Sequence, residues 1–127
     1  CFVRDSSTYG IIKVMKPKTI RRPWGSFRQF TNGELSTIKI ITVNPGQAFS
    51  LQYHKQREEF WHILSGQPCV TIGRRVVTAK PGQEFFIGQK VSHRVVANKK
   101  PAVFLEIAFG KFAEKDIVRL EDRYGRT

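Results

Sequence analysis

Short β-favouring stretches, separated by turn signals about every ten residues, constrain the fold more than any other feature of this sequence. They extend from Trp24 to Phe109 and are rich in β-branched and aromatic residues. Turn pairs such as Asn32-Gly33 and Pro81-Gly82 interrupt them. Many short strands with frequent turns are typical of an antiparallel sandwich or barrel, so we predict an all-β domain. The predicted strands are 27–30, 35–43, 49–53, 60–64, 69–72, 76–78, 84–87, 93–96 and 102–109.

The two ends of the chain differ from this β-rich centre. Residues 113–120 predict a short helical tail, because Ala113, Ile117 and Leu120 would share one helical face. Residues 1–20 are predicted to form a basic N-terminal arm. The remaining residues, 21–127, are long enough to bury a core as one domain.

The charge balance limits the partners of this chain. It carries 22 Lys and Arg against 10 Asp and Glu, a net charge of +12. Such a charge favours phosphorylated small molecules or nucleic acid. The sequence has no zinc finger, helix-turn-helix or aromatic RNA-binding motif, so nucleic acid is the less favoured partner, although the charge leaves it open.

Composition excludes two further classes of protein. A hydrophobic content of 40%, with 10 Phe, excludes an intrinsically disordered chain. The apolar runs are far shorter than the roughly 20 residues of a membrane-spanning helix, so we expect no membrane association. The 2 cysteines are too few for a disulfide framework, and the expected location is therefore the cytoplasm.

One constellation of polar residues suggests chemistry. Gln52 and His54 lie two apart and would share one face of a strand. Glu59 opens the next predicted strand, and His93 opens a later one. Two imidazoles, a carboxylate and an amide oxygen suit a divalent first-row metal. Each residue alone could be an ordinary polar side chain or a surface charge, so the prediction depends on their joint spacing.

This segment resembles the first motif of the cupin superfamily. Gly46, Gln52, His54, Glu59 and Gly66 stand at the spacing of that motif. The stretch from Gly82 to His93 resembles the second cupin motif, which supplies the last histidine. The resemblance implies a jelly-roll barrel, also called a double-stranded β-helix.

Three segments narrow the resemblance to one family. They are residues 22–25 (Arg-Pro-Trp-Gly), residues 51–61 (with Leu-Gln-Tyr-His, Arg57, Glu59 and Trp61) and residues 116–126. They resemble the type II mannose-6-phosphate isomerase domain over residues 21–126, in the same order along the chain. That domain usually forms the C-terminal part of bifunctional enzymes that also carry a mannose-1-phosphate guanylyltransferase.

The resemblance implies an isomerase that interconverts mannose 6-phosphate and fructose 6-phosphate at one divalent metal ion. The substrate would then be a phosphorylated hexose, and the barrels are expected to pair as a homodimer. Zinc is the first choice of metal, with manganese, cobalt, nickel and iron as alternatives. The implied metal ligands are Gln52, His54, Glu59 and His93.

Further residues are candidates for catalysis and substrate binding. Arg57 is predicted to hold the phosphate or the enediolate, or alternatively to form an ion pair with Glu58 or the acidic tail. Glu106 would point inward and act as general base, or alternatively pair with an arginine. Lys90 and Arg119 are candidates for phosphate binding. Alternatively, Lys90 is a solvated charge on its loop, and Arg119 docks the tail.

The sequence departs from the family pattern at several positions. Family members usually carry histidines near positions 55 to 60, where this chain has Lys55, Gln56 and Phe60. The usual Pro-x-Gly turn of the second motif reads Gly88-Gln89-Lys90. The asparagine expected four positions after His93 is Ala97. These departures and the charge favour an alternative function, a non-catalytic metal cupin that binds sugar phosphates or a macromolecule.

Overall fold

A computed structural model describes residues 17–110, 112–122 and 124–125. Within these residues, antiparallel strands form three sheets. The strands are β1 (Lys18–Arg22), β2 (Gly25–Gln29), β3 (Ser36–Val43), β4 (Leu51–Tyr53), β5 (Glu58–Ser65), β6 (Cys69–Ile72), β7 (Arg75–Thr78), β8 (Glu84–Ile87), β9 (His93–Val96), β10 (Ala102–Phe109) and β11 (Val118–Glu121).

Two larger sheets build the barrel and confirm the predicted all-β fold. One has the strand order β3-β10-β5-β8, and the other has the order β11-β4-β9-β6-β7. Their inward side chains form one core, in which Trp61, Phe85 and Phe104 of the first sheet meet Val70 and Val95 of the second. Burial of these large side chains is the main favourable contribution to folding.

The alternation of side chains along β5 and β10 points polar groups into the barrel. Trp61 lies opposite Glu106, and Glu59 lies opposite Ala108. Since residues two apart share a face, Glu59, Trp61 and Glu106 all project to the inner side. The barrel interior is therefore apolar in its middle and polar at one end.

The third sheet is the hairpin of β1 and β2, which precedes the barrel. Its base is attached where Arg28 forms an ion pair with Glu84 and Phe30 packs on Phe60. Lys18 to Ile20, which the sequence assigned to the arm, belong to β1. Residues 1–16 of the predicted arm lie outside the described residues.

The predicted helical tail is wrong. A turn at residues 114–115 leads into β11, which pairs with β4, and the described part of the chain contains no helix. The prediction of a helix rested on only three residues, Ala113, Ile117 and Leu120. Pairing with β4 instead satisfies the backbone hydrogen bonds of Val118 and Arg119. Among the described residues, no helix is long and apolar enough to cross a membrane.

Candidate metal centre

His54, Glu59 and His93 lie together at the polar end of the barrel. One ligand atom from each residue falls within 4.8 Å of the others. Glu59 Oε1 is 3.3 Å from His93 Nε2 and 3.8 Å from His54 Nε2. All three side chains are at most 2% exposed. The structure thus brings together three of the four predicted ligands as one buried cluster.

The strands determine this arrangement. His54 directly follows β4, Glu59 is the second residue of β5, and His93 opens β9. Gln52 lies opposite His93 in the register of β4 and β9. Strand ends from both sheets therefore meet at one end of the barrel. The predicted start of a strand at His93 is confirmed.

Backbone carbonyls orient both imidazole rings. His54 Nδ1 donates to the Asp116 carbonyl at 2.5 Å, and His93 Nδ1 donates to the Val91 carbonyl at 2.9 Å. With Nδ1 carrying the hydrogen, each Nε2 keeps its lone pair and points to Glu59. This is the arrangement that a metal-ligating histidine requires.

Burial keeps both histidines neutral. Removal from water, together with the neighbouring His54 and Arg57, lowers the pKa of His93 to about 3, against the opposing effect of the Val91 carbonyl. Burial also lowers the pKa of His54, against the opposing effect of the Asp116 carbonyl. A neutral imidazole is the form that binds a metal.

Glu59 and Glu106 form a buried carboxyl pair beside the imidazoles. Burial, and then the charge of Glu106, raises the pKa of Glu59. Burial likewise raises the pKa of Glu106, which accepts a hydrogen bond from Trp61 Nε1 at 3.2 Å. Glu106 points inward as predicted. Its hydrogen-bond partner is Trp61, where the alternative expectation was an arginine.

Arg57 contacts the cluster directly. Its Nε donates to Glu59 Oε2 at 3.2 Å, and its Nη2 donates to His54 Nε2 at 3.1 Å. Its ion-pair partner is therefore Glu59, whereas the sequence suggested Glu58 or the acidic tail as the alternatives. The guanidinium supplies a positive charge to the buried carboxyl pair.

The segment from Phe112 to Asp116, which we call the strap, crosses this end of the barrel. The Arg57 guanidinium lies 4.3 Å from the Phe112 ring centroid, and Lys39 Nζ lies 4.4 Å from the same centroid. The Asp116 carboxylate accepts from the backbone N–H groups of Lys55 and Gln56 at 2.8 and 3.0 Å. The strap therefore fixes both Arg57 and the loop that follows His54.

The other predicted site residues surround the cluster. Gln52 Oε1 accepts a hydrogen bond from Ser50 Oγ at 2.6 Å. Arg119 lies opposite Gln52 on β11, and its Nε is buried without a hydrogen-bond partner. Lys90 is exposed on the loop before His93, where its N–H donates to the His54 carbonyl at 2.7 Å. The backbone of Lys90, more than its side chain, is built into the site.

Lys90 occupies a backbone conformation that favours glycine. Its φ is 63°, in the left-handed region that side chains with a Cβ avoid. This is the last position of the Gly88-Gln89-Lys90 turn, where the related family usually has glycine. We expect Lys90→Gly to raise the free energy of unfolding by about 1 kcal/mol, measured by urea unfolding. Lys90→Ala, which keeps the Cβ, is the control and should not stabilise the protein.

The cluster fits a divalent metal ion. Glu59 Oε1 and His93 Nε2 are buried and make no hydrogen bond, an arrangement that costs about 1 to 3 kcal/mol per group. Donor atoms that share one ion at about 2.1 Å lie roughly 3 to 4 Å apart, as Glu59 Oε1 does from each imidazole Nε2. The three side chains could therefore hold an ion, and Gln52 is the nearest source of an amide oxygen by strand register.

A cavity of about 820 Å³ opens at the opposite end of the barrel. Turns that join the far ends of the strands line it, among them Gly66, Asn98 and Lys99. None of its lining residues belongs to the cluster, so the chemistry is argued from the cluster alone.

Comparison with solved structures defines the class of this fold. Oxalate decarboxylase from Bacillus subtilis superposes with a TM-score of 0.63 at 22% identity, over 68% of this chain and 24% of that chain. Protein TT1209 from Thermus thermophilus superposes with a TM-score of 0.57 at 21% identity, over 74% of this chain and 83% of that chain. The chain therefore has the cupin fold.

The sequence comparisons identify the family. A family model described as "Mannose-6-phosphate isomerase C-terminal" matches residues 12–122, and the chain belongs to this family. It is 39% identical to the xanthan biosynthesis protein XanB of Xanthomonas campestris over 87% of this chain and 24% of that protein. It is 35% identical to the alginate biosynthesis protein AlgA of Pseudomonas aeruginosa over 98% of this chain and 26% of that protein. The chain thus spans about a quarter of the length of these relatives.

Sequence reasoning missed the parts of the site that come from distant segments. Lys39, Phe112 and Asp116 were not predicted to lie at the cluster. The match of residues 116–126 to the family pattern was the one available signal for the strap. Nothing in the local pattern of β3 distinguishes Lys39 from a solvated strand lysine.

Proposed function

We propose that this chain is a metal-dependent aldose–ketose isomerase that interconverts mannose 6-phosphate and fructose 6-phosphate. The observation that carries the proposal is the buried cluster of His54, Glu59 and His93, with two unpaired donor atoms directed at one point. Membership of the isomerase-type family supports the same reaction. Two copies of the chain are proposed to form the active protein, which we expect in the cytoplasm.

The residues of the cluster would act as metal ligands, with Gln52 as a fourth. When bound, the ion acts as a Lewis acid that polarises the sugar carbonyl and stabilises negative charge on the substrate oxygens. Zinc is our first choice. Manganese is the first alternative to test, because a solved structure of the Bacillus subtilis oxalate decarboxylase, 24% identical to this chain, has Mn(II) centres.

Glu106 is proposed to move the proton between C1 and C2 of the sugar. It projects into the barrel beside Glu59, and burial raises its pKa, so that it is a stronger base than a solvated glutamate. The hydrogen bond from Trp61 Nε1 fixes the position of its carboxylate. Proton transfer on one face of the sugar needs only one such base.

Two arginines are proposed to bind the phosphate or the enediolate. Arg57 is buried against the cluster, where it donates to His54, and its planar guanidinium is of the kind that forms two parallel hydrogen bonds with an anion. Arg119 has a buried Nε without a partner on the strand next to Gln52, which supports a binding role. The exposed side chain of Lys90 is a more peripheral candidate for the phosphate.

A coupled assay tests the proposal. Protein loaded separately with zinc and manganese is given mannose 6-phosphate, and the formation of fructose 6-phosphate is followed. We expect turnover that depends on the metal and that is lost in Glu106→Gln, which keeps the metal. Protein that binds metal and mannose 6-phosphate but shows no turnover with either ion would instead be a binding cupin.

Arg57→Lys separates binding from chemistry. Lysine keeps the charge but loses the two-pronged geometry and the stacking on Phe112, so we expect KM for mannose 6-phosphate to rise about 10-fold or more. We expect kcat to change less. The control is Arg94→Lys, on β9 of the other sheet, which should leave both constants unchanged. An unchanged KM in Arg57→Lys would assign Arg57 a purely structural role.

A further inference from the structure

Lys39 lies on the side of β3 that faces the inside of the barrel. Ile41 packs against the core and Val43 is buried, and Lys39 shares their side because residues two apart in a strand have the same face. Ile38 and Ile40 lie on the other side and are 58% and 67% exposed. Lysine favours the exposed side of a strand and isoleucine the buried side, so burial alone does not explain this order of side chains.

The ammonium group of Lys39 lies at the end of the barrel that holds the cluster. Lys39 is opposite Glu106 in the register of β3 and β10. Its Nζ is 4.4 Å from the ring centroid of Phe112, and the Arg57 guanidinium is 4.3 Å from the same centroid. Burial raises the pKa of Glu106, and the positive charge of Lys39 is one of the effects that oppose this increase. Lys39 and Arg57 therefore place two positive charges on one aromatic ring, close to the proposed general base.

The ion-pair partner of Lys39 is held weakly. Lys39 Nζ is 3.3 Å from Glu114 Oε1, and the side chain of Glu114 is 80% exposed. An ion pair with so exposed a partner contributes little to stability. The backbone of the strap is fixed on both sides of Glu114, because the Ala113 carbonyl accepts from Arg57 and the Asp116 carboxylate accepts from two backbone N–H groups. The Glu114 carboxylate can therefore leave Lys39 by rotation of its own side chain, while the strap stays in place.

We propose that Lys39 binds the phosphate group of the substrate, and that the Glu114 carboxylate occupies Lys39 until the substrate arrives. The inference rests on the proposed function for the identity of the ligand, a phosphorylated hexose. A phosphate monoester carries about −1.5 to −2 charges near pH 7 and offers three acceptor oxygens, whereas a carboxylate carries one charge. The phosphate group therefore displaces an exposed carboxylate from the ammonium group. Lys39 has an anionic partner both before and after this exchange.

Two binding measurements test this assignment without depending on turnover. Inorganic phosphate is titrated into the chelator-treated chain and followed by NMR, which excludes binding of phosphate to a metal ion. Mannose 6-phosphate is titrated into the zinc-loaded chain in a calorimeter. We expect Lys39→Met to raise both Kd values about 10-fold or more, and Lys39→Arg, which keeps the charge, to retain most of the affinity. Glu114→Gln should lower both Kd values about 3-fold or more, because it removes the competing carboxylate.

Two controls make the same changes of charge at other exposed positions. Lys115→Met removes the lysine next to Glu114 on the strap, and Glu121→Gln removes a carboxylate that pairs with Arg94 on the other sheet. Both should leave each Kd within about twofold, and circular dichroism checks the fold of every variant. The double variant Lys39→Met, Glu114→Gln should bind no more tightly than Lys39→Met alone, since Glu114 competes only at Lys39. An unchanged Kd in Lys39→Met would overturn the assignment, as would tighter binding on Glu114→Gln that persists without Lys39.

Comparison with the coupled assay separates this inference from the proposed function. A chain that binds phosphate through Lys39 but does not convert mannose 6-phosphate would keep the anion site and lose the isomerase assignment. A chain that converts mannose 6-phosphate with the same KM in Lys39→Met as in the unaltered protein would keep the isomerase assignment and overturn the role of Lys39.

Discussion

Replacing Glu59 with glutamine should weaken divalent metal binding at least 100-fold and lower isomerase turnover about 1,000-fold or more. Glu59 Oε1 is the one atom close to both imidazole nitrogens, so the change removes the only charged ligand of the cluster. Lewis-acid polarisation is worth several kcal/mol to such a reaction, and altering even a residue behind the ligands costs 10- to 100-fold in affinity. Isothermal titration with zinc and manganese measures the first effect, and the coupled assay measures the second.

The same substitution should have the opposite effect on the stability of the chelator-treated protein. The pKa of Glu59 is raised in the folded state above its ordinary value of 4.5. The contribution of Glu59 to stability is therefore complete below pH 4.5 and is lost as the pH rises through the pKa of the folded protein. Glutamine does not titrate. The stability of Glu59→Gln relative to the unaltered protein should therefore increase with pH, by up to about 1.4 kcal/mol per unit.

Urea unfolding at pH 5, 6 and 7 in the presence of a chelator checks this dependence. The matched control is Glu58→Gln, the adjacent residue on β5, which is not part of the cluster. Parallel pH profiles for Glu59→Gln and the unaltered protein would contradict the assignment of a buried, proton-holding carboxyl. Glu59→Gln is expected to weaken metal binding but to stabilise the metal-free protein. This combination distinguishes the loss of a ligand from general unfolding, which would lower both.

Replacing Gly66 with alanine should lower the free energy of unfolding by about 3 kcal/mol or more. Gly66 has a φ of +86°, and a Cβ there would collide with the Pro101 carbonyl oxygen and lie 3.2 Å from Ala102 Cα. Both neighbours are backbone, which cannot move aside as a side chain can. The strain would pass into the start of β10, the strand that carries Glu106, so we also expect a lower melting temperature and weaker activity.

Gly82→Ala is the matched control for this substitution. Its φ of +88° is nearly the same, but a Cβ at Gly82 would meet nothing within 4 Å. It should therefore show only the backbone cost, about 1 kcal/mol. Thermal and urea unfolding of both variants measure the difference. Equal losses at the two positions would mean that the close approach to Pro101 contributes nothing.

The position of the cluster could be predicted from the sequence because it depends on strand periodicity. Gln52 and His54 share a face by alternation, and the start of β9 at His93 follows from the turn at Gly88-Gln89-Lys90. The barrel itself follows from the regular spacing of short strands. These predictions used only the periodicity of side chains along single strands and the match to a family motif.

The parts that could not be predicted arise from contacts between distant segments. Residues 113–120 have enough helical character to suggest a helix, but pairing of β11 with β4 and the Asp116 hydrogen bonds to Lys55 and Gln56 outweigh this propensity. The strained backbone of Lys90 could not be predicted either. The sequence shows that the usual glycine is replaced by Lys90, but it does not show that Lys90 adopts a positive φ. Similarly, nothing in residues 18–22 indicates that a basic segment pairs as β1.

The contacts of Arg57 have a consequence for the order in which the protein matures. A buried carboxyl needs a positive neighbour, and Arg57 provides one from within the chain by donating to Glu59 and His54. Assembly of the barrel therefore does not have to wait for an ion, and under the proposed function ion uptake is an exchange in which one cation replaces another at His54. Under that proposal, the folded protein precedes the metal, and the identity of the bound ion depends on which divalent ion is then available.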